Sequence, residues 1–224
     1  MSSFWNWTYR FRNSEKIGEV MSLPYWFSSI VDVLDKPMEF SWLAPKDLSK
    51  ARQSAVLLLF SDHDNQPHLT FIKRAAGLTH HPNQIAFPGG VIEQSDKDAI
   101  TTALREAQEE IGLNPSTVLP IGKLPQISIE VTGFAVTPVI SYWYQPHSLS
   151  VLQPAEVEEV FTVPIEMFQQ PKNQVWAVKQ NYKGPGFLID EKIIWGFTGT
   201  LLAQLLGSAG LISEFVGGAE IEID

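Results

Sequence analysis

The sequence predicts an α/β layered domain, and three observations carry that prediction. Short β-rich runs recur along the chain. Few segments have helical periodicity. The best-defined amphipathic helix, Asp98 to Ile111, closely follows a glycine turn at Phe87-Pro88-Gly89-Gly90. Strands mixed with a few helices form layers in which helices cover the faces of a sheet.

The elements follow in order. In the aromatic-rich leader, Trp5, Trp7, Tyr9 and Phe11 alternate with polar residues, which is the period of a half-buried strand. That strand suits packing on the main domain, or a contact between two copies in a homodimer. Pro24 to Leu34 reads as a short helix that Pro37 would end. Ala55 to Phe60 and His68 to Lys73 read as strands, and the turn-forming string Asp62 to Pro67 makes them a hairpin. Val118 to Gly122 is a further strand. Ile127 to Tyr144 holds two strands broken near Thr132-Gly133, and Val160 to Val163 is a last short strand. Pro164 to Gln169 and Phe197 to Leu206 read as helices, with Leu201, Leu202, Leu205 and Leu206 forming a core stripe. Gly184-Pro185-Gly186 reads as a turn and no more.

The bulk numbers exclude several function classes. A chain of 224 residues suits one domain with extensions, or at most two small ones. The expected boundaries are an extension over 1–50, a main domain over 51–207 and a tail over 208–224. A net charge of −9 argues against binding to a nucleic-acid backbone. It leaves room for a small anionic substrate, because a bound divalent cation inverts the local charge. With no cysteine, disulfides, thiolate metal sites and thiol nucleophiles are excluded from this chain. Met1 to Arg12 lacks the basic flank and apolar run of a signal peptide, and no stretch reaches the roughly 18 apolar residues of a membrane span. The C-terminal Glu222-Ile223-Asp224 is not a peroxisomal address. The expectation is a cytoplasmic protein with no membrane partner.

The helix from Asp98 to Ile111 carries the chemistry. Ser95 or Asp96 is placed to cap its start, and Gly112 to close its end. At about 100° per residue, Ile100, Ala103, Leu104, Ala107 and Ile111 form one apolar stripe. Glu106, Glu109 and Glu110 gather on another side, at the i, i+3, i+4 spacing of helical neighbours. Hard cations such as Mg²⁺ take carboxylate oxygens together with substrate phosphates, so a triple acid beside a glycine loop suits such an ion. The commonplace alternative is a solvated acidic face. Arg105 is placed to hold a carboxylate by a charge-assisted fork. Gly89 and Gly90 permit close backbone approach to a phosphate or a metal.

These residues resemble the Nudix box. Its pattern is Gly, five residues, Glu, seven residues, Arg-Glu, apolar, any, Glu-Glu, any, Gly, apolar. Arg105-Glu106-Ala107-Gln108-Glu109-Glu110-Ile111-Gly112-Leu113 fits the second half at every position. The first half departs: fourteen residues lie between Gly90 and Arg105 where the general motif has thirteen, and Asp96 stands for the mid-loop Glu. The branch resembling coenzyme A pyrophosphatases shares the longer loop. Its upstream signature matches through Arg74 and Phe87-Pro88-Gly89-Gly90, while Ile72, Ala75, Thr79 and Asn83 replace its Thr, Ser, second Arg and Gly. Downstream, Val131-Thr132-Gly133-Phe134, Val136-Thr137-Pro138-Val139, Glu156-Val157 with Val160-Phe161 and Pro164-Ile165, and Ile194-Trp195-Gly196-Phe197-Thr198 also look like this branch.

The resemblance implies an α/β/α sandwich around a mixed sheet and metal-dependent hydrolysis of a pyrophosphate linkage. Glu106, Glu109 and Glu110 are the expected ligands of Mg²⁺, with Mn²⁺ as a substitute. Arg105 orients the cluster, and Glu109 or Glu156 serves as general base. Arg74 reaches the substrate, with Gly89 and Gly90 beside it. The implied substrate is coenzyme A, giving 4′-phosphopantetheine and adenosine 3′,5′-bisphosphate. Thr79 cannot supply the bidentate charge of the missing Arg. Rival readings are another nucleoside diphosphate derivative, such as ADP-ribose or a dinucleotide, and a non-catalytic nucleotide-binding domain. His80-His81 lack a carboxylate partner and read as loop residues. His147 and Ser148 offer no triad, Trp143 and Tyr144 read as packing, and Glu158 as a solvated acid.

Overall fold

A computed structural model describes residues 23–35, 51–63, 66–129, 133–180, 182–212 and 215–223. The aromatic alternation at Trp5 to Phe11, the stop at Pro37 and the pair Val131-Thr132 lie outside the described residues.

The central sheet is mixed. Its spine is β1 (Arg52–His63), whose alternating side chains feed both faces. One edge of β1 pairs in parallel with β7 (Phe134–Trp143), from Arg52 opposite Phe134 to Ser61 opposite Trp143. The other edge is shared. Near the hairpin it pairs with β2 (Gln66–Arg74), and further back with β4 (Gly89–Val91). β2 in turn pairs on one edge with β8 (Val157–Pro164) and on the other with β3 (Ile85–Ala86). β1 and β2 therefore splay apart beyond Phe60 and Leu69. The segment Ile85 to Val91 fills the fork and is tied to β1 by Leu57 N–H donating to Pro88 O at 2.8 Å. β5 (Val118–Lys123) and β6 (Ile127–Ile129) pair with the far edge of β7.

Helices cover both faces, as the resemblance implies. α2 (Ala99–Ile111) lays Ala103, Ala107 and Ile111 on Ala55, Leu57, Leu59 and Val139. The small alanines let this helix sit close to the sheet. The opposite face receives the other parity of β1, Leu58 and Phe60, together with Phe27, Ile30 and Tyr142. Phe27 and Ile30 come from the continuous helical stretch Tyr25–Asp35, whose middle is α1 (Ser28–Val31). The expected helix over Pro24 to Leu34 is thus present. α4 (Gly196–Ser208) buries Leu201, Leu202, Leu205 and Leu206 in the same cluster, so the predicted leucine stripe is core.

Three expectations about the strands need correction. β8 starts at Val157, not Val160, because Glu158 and Glu159 face outward and pair with Lys73 and Lys192. More importantly, Val160 to Val163 is not the last strand. After the short α3 (Ile165–Gln169), a second sheet is built from β9 (Gln174–Lys179), β10 (Tyr182–Ile189), β11 (Lys192–Ile194) and β12 (Glu220–Glu222), in the order β11-β10-β9-β12. Gly184-Pro185-Gly186 lies inside β10 instead of forming a turn. β11 pairs only with Phe187 to Ile189, so Pro185 sits on a stretch with a strand on one side only, where proline is tolerated. Gly199 of α4 explains part of the glycine content: a Cβ there would lie 2.7 Å from Ile194 O and Pro185 O.

The fully buried Phe27 packs edge-on against Phe60 at 5.5 Å between ring centroids. Phe27→Ala is expected to lower unfolding free energy by about 3–5 kcal/mol, the usual cost of emptying a buried phenylalanine site. Urea titration of the variant against the parent measures it, and an unchanged midpoint would show that the Tyr25–Asp35 segment does not stabilise the domain.

Candidate active site

The site is assembled where the fork of the sheet meets the acidic helix. α2 is capped by Asp98, whose carboxylate accepts from Thr101 N–H at 2.9 Å. This corrects the expected cap at Ser95 or Asp96, and the reason is competition for the Asp96 carboxylate. Both Asp96 oxygens are taken by Arg105, Nε at 3.1 Å and Nη2 at 3.0 Å, with further bonds from Glu93 N–H and the Thr102 hydroxyl. The Asp96 side chain is only 3% exposed, and the Arg105 guanidinium pulls its carboxyl down to about 2. The same ion pair pushes Arg105 further up. The C-terminus ends as expected: Gly112 is left-handed at φ 71° and donates to Gln108 O.

Arg105 is the hub, as its expected fork required. Besides Asp96 it donates to Glu106 at 3.0 Å, to Glu109 at 3.1 Å and to the Val91 carbonyl at 3.2 Å. It ties the glycine loop, the loop acid and two of the three helix acids into one network. The role of Asp96 as its anchor was visible in the sequence only as the occupant of a motif position.

The three helix acids share a side of α2 but differ in environment. The Glu109 side chain is 44% exposed, while Glu106 is half-buried. Glu110 is buried, and its carboxylate accepts from the Gly89 amide at 3.0 Å. Burial pushes the Glu110 carboxyl up to about 8, against the Gly89 hydrogen bond, with Glu106 and Glu156 adding repulsion and Arg74 opposing it. Burial also raises Glu106; Arg105 opposes that rise, and Glu109 and Glu156 add to it. Glu156 is exposed on the turn before β8, within electrostatic reach of both acids. Among the described residues, no three acidic or histidine side chains converge into a ready-made cage. The donor set still fits a hard divalent cation. Carboxylates that raise one another's pKa in a buried setting are what such a charge relieves, and oxygen is the ligand Mg²⁺ takes.

Space requires the first glycine, and the second leaves the Glu106 carboxylate where it is. At Gly89, with φ 153°, a Cβ would collide with the Ala55 carbonyl. At Gly90 it would collide with the Glu106 carboxylate. β4 therefore runs between β1 and the acids with no room for a side chain at Gly89.

Arg74 ends β2, pairs in register with Val157 and acts electrostatically on Glu110. Its Nε is buried and has no hydrogen-bond partner among the described residues. A buried guanidinium nitrogen without a partner is costly, so this one is suited to an anion arriving from outside. The loop from 75 to 83 is closed by Arg74 N–H donating to Gln84 O at 2.9 Å. Thr79, His80 and His81 are exposed on it. Asn83 is left-handed at φ 59°, the conformation asparagine tolerates best after glycine. The remaining residues singled out are structural. Trp143 donates to Thr117, Tyr144 to the Ser116 carbonyl, and His147 Nε2 accepts from Asn114 N–H.

Residues 50–184 of the chain match the NUDIX domain. The chain belongs to the Nudix family. Its relatives include an uncharacterized Nudix hydrolase, NudL, of Photorhabdus laumondii subsp. laumondii, 35% identical over 72% of this chain and 87% of that one. A second NudL, of Pectobacterium atrosepticum, is 32% identical over 71% of this chain and 84% of its own. The mitochondrial Nudix hydrolase 15 of Arabidopsis thaliana is 32% identical over 86% of this chain and 67% of its own. This Nudix hydrolase thus acts on nucleoside diphosphate derivatives, in a family whose members generally use divalent ions such as Mg²⁺. No helix among the described residues is long and apolar enough to cross a membrane.

Two outcomes test this geometry. Folding favours protonated Glu110, so its contribution to stability is full below the ordinary value of 4.5 and is lost as pH rises through about 8. Metal-free protein should therefore melt at a lower temperature at pH 9 than at pH 6, and Glu110→Gln should flatten that difference in a calorimetric scan. Gly89→Ala should lose both stability and activity, because the atom it meets is backbone and cannot rotate away; a fully stable variant would contradict the packing.

Proposed function

We propose that this Nudix hydrolase cleaves the pyrophosphate linkage of coenzyme A or its derivatives, releasing 4′-phosphopantetheine and adenosine 3′,5′-bisphosphate. One observation carries the reading. The coenzyme A pyrophosphatase-like signature has Gly at position 83, and Asn83 occupies the left-handed conformation for which glycine would be chosen. The replacement is therefore compatible with the signature's backbone path from Arg74 to Gly90. The longer loop before Arg105 is closed by the Asp96 fork, so the inserted residue leaves the helix intact.

In this reading Glu106, Glu109 and Glu110 hold Mg²⁺, or Mn²⁺ in its place. When bound, the ion polarises phosphoryl oxygens and lowers the pKa of a water. The chain's own residues do the rest. The Gly89 amide fixes the Glu110 carboxylate, and Arg105 orients Glu106 and Glu109. Arg74 offers its buried Nε to a phosphate oxygen. Glu109 or Glu156, both solvent-accessible, takes the proton of the attacking water.

The deciding measurement is incubation of the purified protein with coenzyme A, with and without Mg²⁺ or Mn²⁺, resolving products by mass. Metal-dependent release of 4′-phosphopantetheine is expected. Cleavage of ADP-ribose or a dinucleotide, but not of coenzyme A, would keep the family chemistry and reject this substrate. No cleavage of any of them would favour a nucleotide-binding domain without turnover. Glu106→Gln and Glu110→Gln should each reduce kcat by more than about 100-fold, beyond the 10- to 100-fold typical of residues that only support a metal ligand.

A further inference from the structure

The loop between Arg74 and Gln84 carries more backbone strain than its turn requires. Arg74 N–H donates to Gln84 O at 2.9 Å, and Ala75 N–H donates to Glu156 O at 2.8 Å. The loop is therefore pinned to Arg74 and to the turn that carries Glu156. Pro82 and Asn83 form the centre of a tight turn, closed by Gln84 N–H donating to His81 O at 3.4 Å. With Pro second, the third residue of such a turn takes positive φ, which accounts for Asn83 at 59°. His81 opens the turn, and its φ of 57° is also left-handed. The turn demands nothing of the kind from its first residue. A non-glycine residue in that region costs free energy, and such costs gather at sites that hold a side chain in place for a ligand.

The surroundings of His81 indicate the chemistry of that ligand. The residue is exposed, so a solute reaches it. Partial burial of its ring, then the Arg74 charge, hold the imidazole below its ordinary value; Gln84 opposes this, and His80 adds to it. The charges acting on the ring are thus basic, with no acid among them. Arg74 keeps its Nε buried and without a hydrogen-bond partner among the described residues. Arg74 disfavours a proton on His81, and an anion lying between the two reverses that effect. We infer that His81 is a binding residue for the diphosphate, donating to a phosphoryl oxygen together with Arg74, and that its left-handed backbone sets the imidazole in that position. The inference rests on diphosphate hydrolysis at the acidic helix, and gives a substrate contact to a residue expected to be no more than part of a loop. Glu106, Glu109 and Glu110 repel a phosphate unless a cation lies between, whereas Arg74 and His81 attract it directly. Their contribution is therefore readable without metal.

The test separates strain from function. His81→Asn and His81→Gly remove the imidazole and supply residues that accept a left-handed backbone, so both should melt no lower than the parent protein. With Mg²⁺, kcat/KM for coenzyme A should nevertheless fall about tenfold or more in both, the loss of one charge-assisted hydrogen bond. His80→Ala, on the same loop, should stay within about twofold of the parent on that same scale. On metal-free protein, ADP should move the titration of the His81 ring upward by roughly one pH unit, read by NMR from the signal that His81→Asn removes. Parental kcat/KM in both variants would overturn the inference, as would activity lost in step with melting temperature, the mark of a purely structural residue. A ring whose titration ADP leaves unchanged would overturn it as well. If the parent does not cleave coenzyme A, ADP-ribose takes its place in the kinetics. If it cleaves neither, the hydrolytic reading fails, while an upward shift with ADP still establishes His81 as a phosphate-binding residue.

Discussion

The site turns on one buried hydrogen bond: the Gly89 amide donating to the Glu110 carboxylate. It links the strand that fills the fork of the sheet to the helix that carries the acids. Most of the surrounding design serves this contact. Gly89 has no side chain because the Ala55 carbonyl occupies that space, and the alanines of α2 bring the helix down onto β1. A buried carboxyl raised to about 8 is an unfavourable group to ionise, and the fold tolerates it because a backbone donor faces it. Stability and chemistry pull in opposite directions at this residue, as is common where a protein holds an ionisable group out of water.

Arg105 solves a different problem. Three acids on one helix repel one another, and a guanidinium with a planar fork relieves that repulsion while imposing directions on the carboxylates. Its strongest partner is not on the acidic face at all. Asp96, on the loop, accepts both ends of the fork, so the arginine is anchored before it reaches Glu106 and Glu109. With one end of the loop held by this pair and the other by the pairing of β4 with β1, the loop between them can change length by a residue without moving the helix.

The α2 region was legible because several local signals agreed there: an apolar stripe at helical period, acids at i, i+3, i+4, and a glycine after the last turn. The β1–β2 hairpin was legible for the same reason, with alternation on both sides of a turn-forming string. The cap at Asp98 was not, because two aspartates lie two residues apart and only the reach of Arg105 decides which is free. The second sheet was hidden more deeply. Gly184-Pro185-Gly186 has the composition of a turn, and only the one-sided pairing of that stretch of β10 makes it a strand. Likewise Glu158 and Glu159 broke the apolar run of β8, although each is matched by a lysine, Lys73 on the paired strand β2 and Lys192 on β11 of the second sheet. Long-range partners of this kind leave no trace in a local window. At Arg74 the position was legible from the signature, but the unpartnered buried Nε that gives it meaning was not.

The parallel pairing of β1 with β7 is one of the long-range closures that the fold requires. Its partners, such as Arg52 and Phe134, are about eighty residues apart in sequence. The site residues from Arg74 to Glu110 lie inside the loop that this pairing closes, and Glu156 lies beyond it. Loop closure over such a span is slow relative to helix or hairpin formation, and chains dominated by distant contacts fold on the millisecond-to-second scale. During that interval α2 can form its turns and Arg105 can find Asp96, but the strand that presents the Gly89 amide has no completed sheet behind it. The hydrogen bond from Gly89 to Glu110 therefore depends on the long-range pairing of β1 with β7 as much as on its own two partners.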